Sequence, residues 1–172
     1  MITIKKISIA LASIFMLSAF MTSCKKENGN STLNVRMTDA PAAYSAVNVD
    51  IREVRVNMRD DSTGWTTLNT RAGIYNLLAL QNGIDTLLAS GSVSTGGVVK
   101  EIRFVLGSNN TIEVNGTTFP LTVPSGSESG LKIKINKNVN ASLETLLIDF
   151  DAALSISSEI DGYKLRPVLR VK

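Results

Sequence analysis

The chain has 172 residues, 44% of them hydrophobic but only 5% aromatic, and carries 18 Lys or Arg against 15 Asp or Glu. It holds no histidine and one cysteine, Cys24, which excludes Ser-His-Asp and Cys-His nucleophiles, an imidazole or thiolate zinc site, and any disulfide within the chain. Setting aside Lys5 and Lys6, 16 basic residues face 15 acidic ones, a net +1 without a basic run, so nucleic acid is not an expected partner.

In chain order, Lys5 and Lys6 precede an apolar run from Ile7 to Phe20, and Met21-Thr22-Ser23 leads into Cys24. A charged start, a short apolar stretch and a small-residue exit describe a secretory signal. The run of 14 residues is shorter than the roughly 20 that a spanning helix needs. Ser23-Cys24 resembles the lipobox of bacterial lipoproteins, although Met21 stands where that motif prefers Leu. The resemblance implies cleavage after residue 23, a diacylglycerol and further palmitate-type acylation on Cys24, and a membrane anchor. Lys25-Lys26-Glu27 is similar to the surface-export tag of Bacteroidota lipoproteins, leaving periplasm-facing and cell-surface placement on the outer membrane both open. Residues 24–32 are polar and read as a tether, which leaves 33–172 as one domain.

From Leu33 onward the apolar period is two. Leu33, Val35 and Met37 mark a half-buried strand. Val47, Val49 and Ile51 are odd, whereas Val54, Val56 and Met58 are even, a change of face that requires a β-bulge near Arg52-Glu53. A turn over 60–64 returns the chain as a partner strand from Trp65 to Leu68. Ile74 to Leu80 has room for one helical turn. Ile84 to Ala89 suggests a short strand, and the Gly-Ser-rich stretch 90–97 a loop. Ile102, Phe104 and Leu106 mark the next strand. Asn115-Gly116 between Thr111–Val114 and Thr117–Leu121 is the strongest hairpin signal in the chain. Leu131–Ile135, Glu144–Phe150, Ser155–Glu159 and Tyr163–Val171 complete the series, with Pro167 marking an edge or bulge. The expected fold is all-β, an antiparallel β-sandwich of about 8–10 short strands.

The ordered phrases Met37-Thr38-Asp39-Ala40-Pro41, Val49-Asp50-Ile51, Pro124-Ser125-Gly126, Ser129-Gly130-Leu131-Lys132, Asp149-Phe150-Asp151-Ala152 and Leu165-Arg166-Pro167-Val168 resemble a bacterial family catalogued as domain of unknown function 4382. The resemblance spans about residues 33–171. It implies a secreted all-β sandwich, commonly a lipoprotein, and supplies no mechanism.

Asp149 and Asp151 are two apart, so on a strand they share one face while Phe150 takes the other. Such a pair could hold Ca²⁺ with loop oxygens from Asp39 or Asp161. The simpler expectation is that both face water at a strand end, and that Asp39 closes a local turn with Pro41 fixing the next φ. Ser129-x-x-Lys132 has penicillin-binding spacing, but on a strand the two residues face opposite ways, so that chemistry is rejected. Asp61-Ser62-Thr63 and Asp85-Thr86-Leu87 match short O-glycosylation acceptors and read equally as ordinary loops. Trp65, Tyr44, Tyr75 and Tyr163 could stack a sugar, though core packing is the expected role.

Three functions compete. The leading one is a non-catalytic, lipid-anchored envelope module that binds a glycan, a protein or an envelope component. A carboxylate-dependent hydrolase built on Asp149 and Asp151 is the second, and a purely structural surface spacer the third.

Overall fold

A computed structural model describes residues 29–59, 61–124 and 131–172. Cys24, the signal segment and most of the tether lie outside the described residues, as do Ser125–Gly126 and Ser129–Gly130. In chain order the strands are β1 (Asn30–Thr38), β2 (Ala46–Asn57), β3 (Trp65–Thr67), β4 (Asn69–Thr70), β5 (Gly73–Asn76), β6 (Thr86–Ser94) and β7 (Val98–Leu106). They continue with β8 (Thr111–Val114), β9 (Thr117–Thr122), β10 (Leu131–Asn138), β11 (Leu143–Phe150), β12 (Ile156–Glu159), β13 (Gly162–Leu165) and β14 (Leu169–Val171). Among the described residues, helix is confined to a 3-10 turn at Leu77–Leu80 and one α-turn, α1 (Ala152–Ser155).

The strands form two sheets, an all-β sandwich as the alternation implies. One runs β14-β11-β1-β6-β4; the other runs β10-β7-β2-β8-β9-β13-β12, with β3 and β5 also paired to β2. Two pairings depart from the antiparallel expectation, because β1–β11 and β9–β13 are parallel. The fourteen strands among the described residues exceed the expected 8–10, because short strands such as β3, β4 and β14 pair as separate segments.

The core is built by the inward positions of the long strands. Leu33, Val35 and Met37 of β1 meet Val47, Val49, Ile51, Val54 and Val56 of β2, with Ile102, Phe104, Ile148 and Phe150 all fully buried. β2 changes face through a register shift between Ile51 and Glu53, leaving Arg52 exposed at the bulge. One extra residue restores an inward Val54, which is why Val49 and Val54 can share one core. The β8–β9 hairpin turns at Asn115 (φ 52°) and Gly116 (φ 76°), the left-handed pair that a two-residue turn of this kind requires.

Two boundaries differ from the alternation pattern. β1 begins at Asn30, inside the polar stretch assigned to the tether, and pairs there with β6 at Ser94 and Val93. The Gly-Ser stretch is mostly strand: β6 runs through to Ser94 because Ser90–Ser94 faces Asn30–Asn34. Gly91 is required in it, since a Cβ there would lie 2.7 Å from Leu68 Cδ2.

Candidate functional site

Parallel pairing of β1 with β11 puts Thr38 opposite Asp149, so the chain leaves both strands at one end of the sheet. Asp39 follows β1, and Asp151 follows β11. Two sequence phrases more than a hundred residues apart are thereby joined.

Asp39 is 3% exposed. Its Oδ1 accepts from the Ala152 backbone N–H at 2.9 Å, and its Oδ2 accepts from Gln81 Nε2 at 3.3 Å. The Asp39 N–H donates to Leu80 O at 3.0 Å, and the Thr38 hydroxyl lies 2.9 Å from Leu80 O and 2.8 Å from Ile84 O. The expected local turn is therefore a long-range tie between the two strand exits and the 77–84 segment. Burial pushes the Asp39 carboxyl above the ordinary aspartate range, the bonds from Ala152 and Gln81 work against that, and the charges of Asp149 and Asp151 add to it. Among the described residues, no cation lies in ion-pair range of Asp39.

Asp149 and Asp151 are also buried, at 3% and 5% exposure, which corrects the expectation that they face water. The cause is β14, whose edge pairing with β11 carries Arg170 and Lys172 over them. Lys172 Nζ stands 3.3 Å from Asp149 Oδ2, and Arg170 Nη2 stands 3.6 Å from Asp151 Oδ2. Asp151 lies past the strand end and caps α1, its Oδ1 accepting from the Leu154 N–H at 3.0 Å. Asp149 Oδ1 is buried without a hydrogen-bond partner. Phe150 is fully buried between them, as the alternation requires.

Beside this cluster lies a pocket of about 260 Å³, walled by Asp39, Pro41, Asn82, Asp85, Leu147 and Lys172 among others. Asn82 and Gly83 form one side as a left-handed turn at φ 59° and 84°. Asp85 is paired with Arg36, and Lys172 with Asp149, so Asp39 is the carboxylate of the wall without a counter-charge. Such a wall can accept hydrogen bonds from an ammonium or from hydroxyls. The structure thus brings Asp39, Asp149 and Asp151 together, yet among the described residues no group of three or more carboxylates is placed to hold a metal ion. Asp161 is elsewhere, in the β12–β13 turn, paired with Lys164 at 3.2 Å.

The remaining candidates separate. Lys132 is exposed on β10. Asp61 Oδ1 accepts from Thr63 N–H and Oγ1 at 2.8 and 2.6 Å, an exposed turn. Trp65 is half-buried outside the core, stacked under Arg103 at 4.2 Å. Tyr44, Tyr75 and Tyr163 pack at the core margin on separate segments, Tyr163 against Phe119 at 5.2 Å, so the aromatics form no single platform. Sequence reasoning missed Arg170, Lys172 and Gln81, whose roles depend on strand pairing and carry no local signal.

The model of one family, domain of unknown function 4382, matches residues 30–167. The chain belongs to that family. The matched span takes in β1 through β13 and both phrases that meet at the pocket. No curated protein and no solved structure matches the chain. No helix of the described residues is long and apolar enough to cross a membrane.

Proposed function

We propose that this member of the domain of unknown function 4382 family is a lipid-anchored, non-catalytic binding module of the bacterial cell envelope, taking a small ammonium-bearing ligand at the β1–β11 exit. The observation that carries the binding reading is Asp39: a buried carboxylate without a cation partner on the wall of a pocket about the size of one sugar ring. An uncompensated buried charge costs stability, and such costs gather where a site needs them. Anchoring rests on the Lys5-to-Cys24 pattern, and the non-catalytic reading on the missing histidine and on the cations that occupy Asp149 and Asp151.

Glucosamine, with glucose as the uncharged control, tests the pocket. Glucosamine at 100 times its dissociation constant should add about 2.7 kcal/mol of stability, glucose should add less, and Asp39→Asn should abolish the difference. A folded chain indifferent to glucosamine at every soluble concentration would refute the pocket. Metabolic labelling with a fatty-acid analogue tests the anchor: wild type should take the label and Cys24→Ala should not. Hydrolytic turnover lost in the Asp149→Asn, Asp151→Asn double variant would overturn the non-catalytic reading.

A further inference from the structure

The outward face of the larger sheet carries a line of cations that the pocket does not use. Val54 and Val56, Ile102 and Phe104 point into the core, so Arg55 and Arg103 between them point out; on β10, Ile133 packs against the core and Lys132 is exposed. Register then aligns the three: Lys132 is opposite Arg103, and Arg103 is opposite Arg55. Neighbouring strands stand about 4.8 Å apart, so the row is three like charges at that spacing. Like charges directly opposite in a sheet are destabilising, and nothing in the packing requires them here.

Each member's partners sharpen the point. Arg103 lies over the Trp65 ring at 4.2 Å, its Nε is buried without an acceptor, and neither it nor Lys132 has a carboxylate in ion-pair range among the described residues. Arg55 is held by Glu53 at 2.5 Å and contributes less free charge. Glu53 lies on one side of the row and Glu101, two residues before Arg103, on the other. Exposed Lys134, opposite Glu101, adjoins Lys132 on β10, so the cations run along β10 as well as across the sheet, with the half-exposed indole of Trp65 beside the row.

We infer that this face binds an acidic polysaccharide lying along the row, its carboxylates or sulfates meeting Lys132 and Arg103 and a sugar face meeting Trp65. Glu53, paired with Arg55, and Glu101, opposite Lys134, break up the continuous positive field that a broad anionic surface such as a lipid headgroup layer or a duplex would need, and leave a track that suits a narrow chain. The aromatic ring favours a polyanion with apolar ring faces over an acidic peptide. The inference rests on reading the chain as a binding module, but uses the opposite sheet from the pocket.

The test is calorimetric titration of the full chain, purified in detergent, with polygalacturonate, dextran and polyglutamate. Polygalacturonate should bind and weaken as salt is raised; dextran should not bind. Lys132→Gln with Arg103→Gln should weaken polygalacturonate about tenfold, while the glucosamine response of the pocket stays intact. Lys132→Gln alone, on an exposed edge strand, should give a smaller loss without disturbing the fold. Trp65→Leu should weaken polygalacturonate and leave polyglutamate unchanged. Equal binding of polyglutamate and polygalacturonate would overturn the proposal. So would polygalacturonate binding that ignores the double variant, or none at all by a chain that still answers glucosamine.

Discussion

Asp50 and Asp39 are almost equally buried, at 1% and 3% exposure, and are held by opposite means. Asp50 sits in the middle of β2, where the bulge brings Arg52 back to it: Arg52 Nη2 donates to Asp50 Oδ2 at 2.7 Å, and the Asn109 N–H donates at 3.2 Å. Asn110 closes the knot, accepting from the Asp50 N–H at 2.8 Å and donating to Gly107 O at 2.7 Å. Its charge is answered at once by a neighbour two residues away. Asp39 has backbone and amide donors and no cation, and it borders open space. A buried carboxylate that is locally neutralised belongs to the scaffold; one left charged on a pocket wall costs stability that a ligand could return.

Perturbing the scaffold should give the largest effects. Phe150→Ala removes a fully buried ring from beneath the strand exits, and chemical denaturation should show a loss of about 3–5 kcal/mol. Gly107→Ala attacks the Asp50 knot directly. The new Cβ would lie 2.2 Å from Asp50 Oδ2 and 2.5 Å from Arg52 Nε, so one side chain must move, at a cost of about 1–3 kcal/mol in the same measurement. A loss much below that would mean that Asp50 is not locked as described.

The smallest effect belongs to the exposed charges. Lys164 first, then Arg166, hold the Glu159 carboxyl down to about 2. A lowered folded value means stability present above the ordinary glutamate range and lost as pH falls toward 2. Glu159→Gln should therefore melt slightly lower than wild type above the ordinary glutamate range and converge with it as pH falls toward 2. Because the group is solvent-screened, its effect should stay below that of Gly107→Ala. A variant that melts lower at neutral pH by as much as Gly107→Ala would erase the distinction between screened and buried charge.

Much of the fold was legible because strand faces have a strict period. The odd-to-even change from Ile51 to Val54 implied the bulge, Asn115-Gly116 the hairpin, and the short Ile74–Leu80 run a single helical turn, which the 3-10 turn at Leu77–Leu80 supplies. Ser90–Ser94 was not legible, since small polar residues carry no face signal and their strand state comes from pairing with β1. The candidate site was half legible. Asp39, Asp149 and Asp151 stood out as carboxylates, but their meeting depends on the parallel β1–β11 pair, and local sequence does not encode which strands become neighbours. Their burial depends on Arg170 and Lys172 arriving from β14, another non-local event.

The central claim is that Asp39 is charged at a cost on behalf of the pocket, and denaturation of wild type and Asp39→Asn across pH, with and without glucosamine, tests it most directly. A raised folded value means that the stability contributed by protonated Asp39 is present in acid and lost as pH rises through that value. Asp39→Asn should thus be at least as stable as wild type at neutral pH, with the advantage gone below the ordinary aspartate value of 3.8 and the glucosamine response lost. An Asp39→Asn chain clearly less stable at neutral pH, with its glucosamine response intact, would contradict the account.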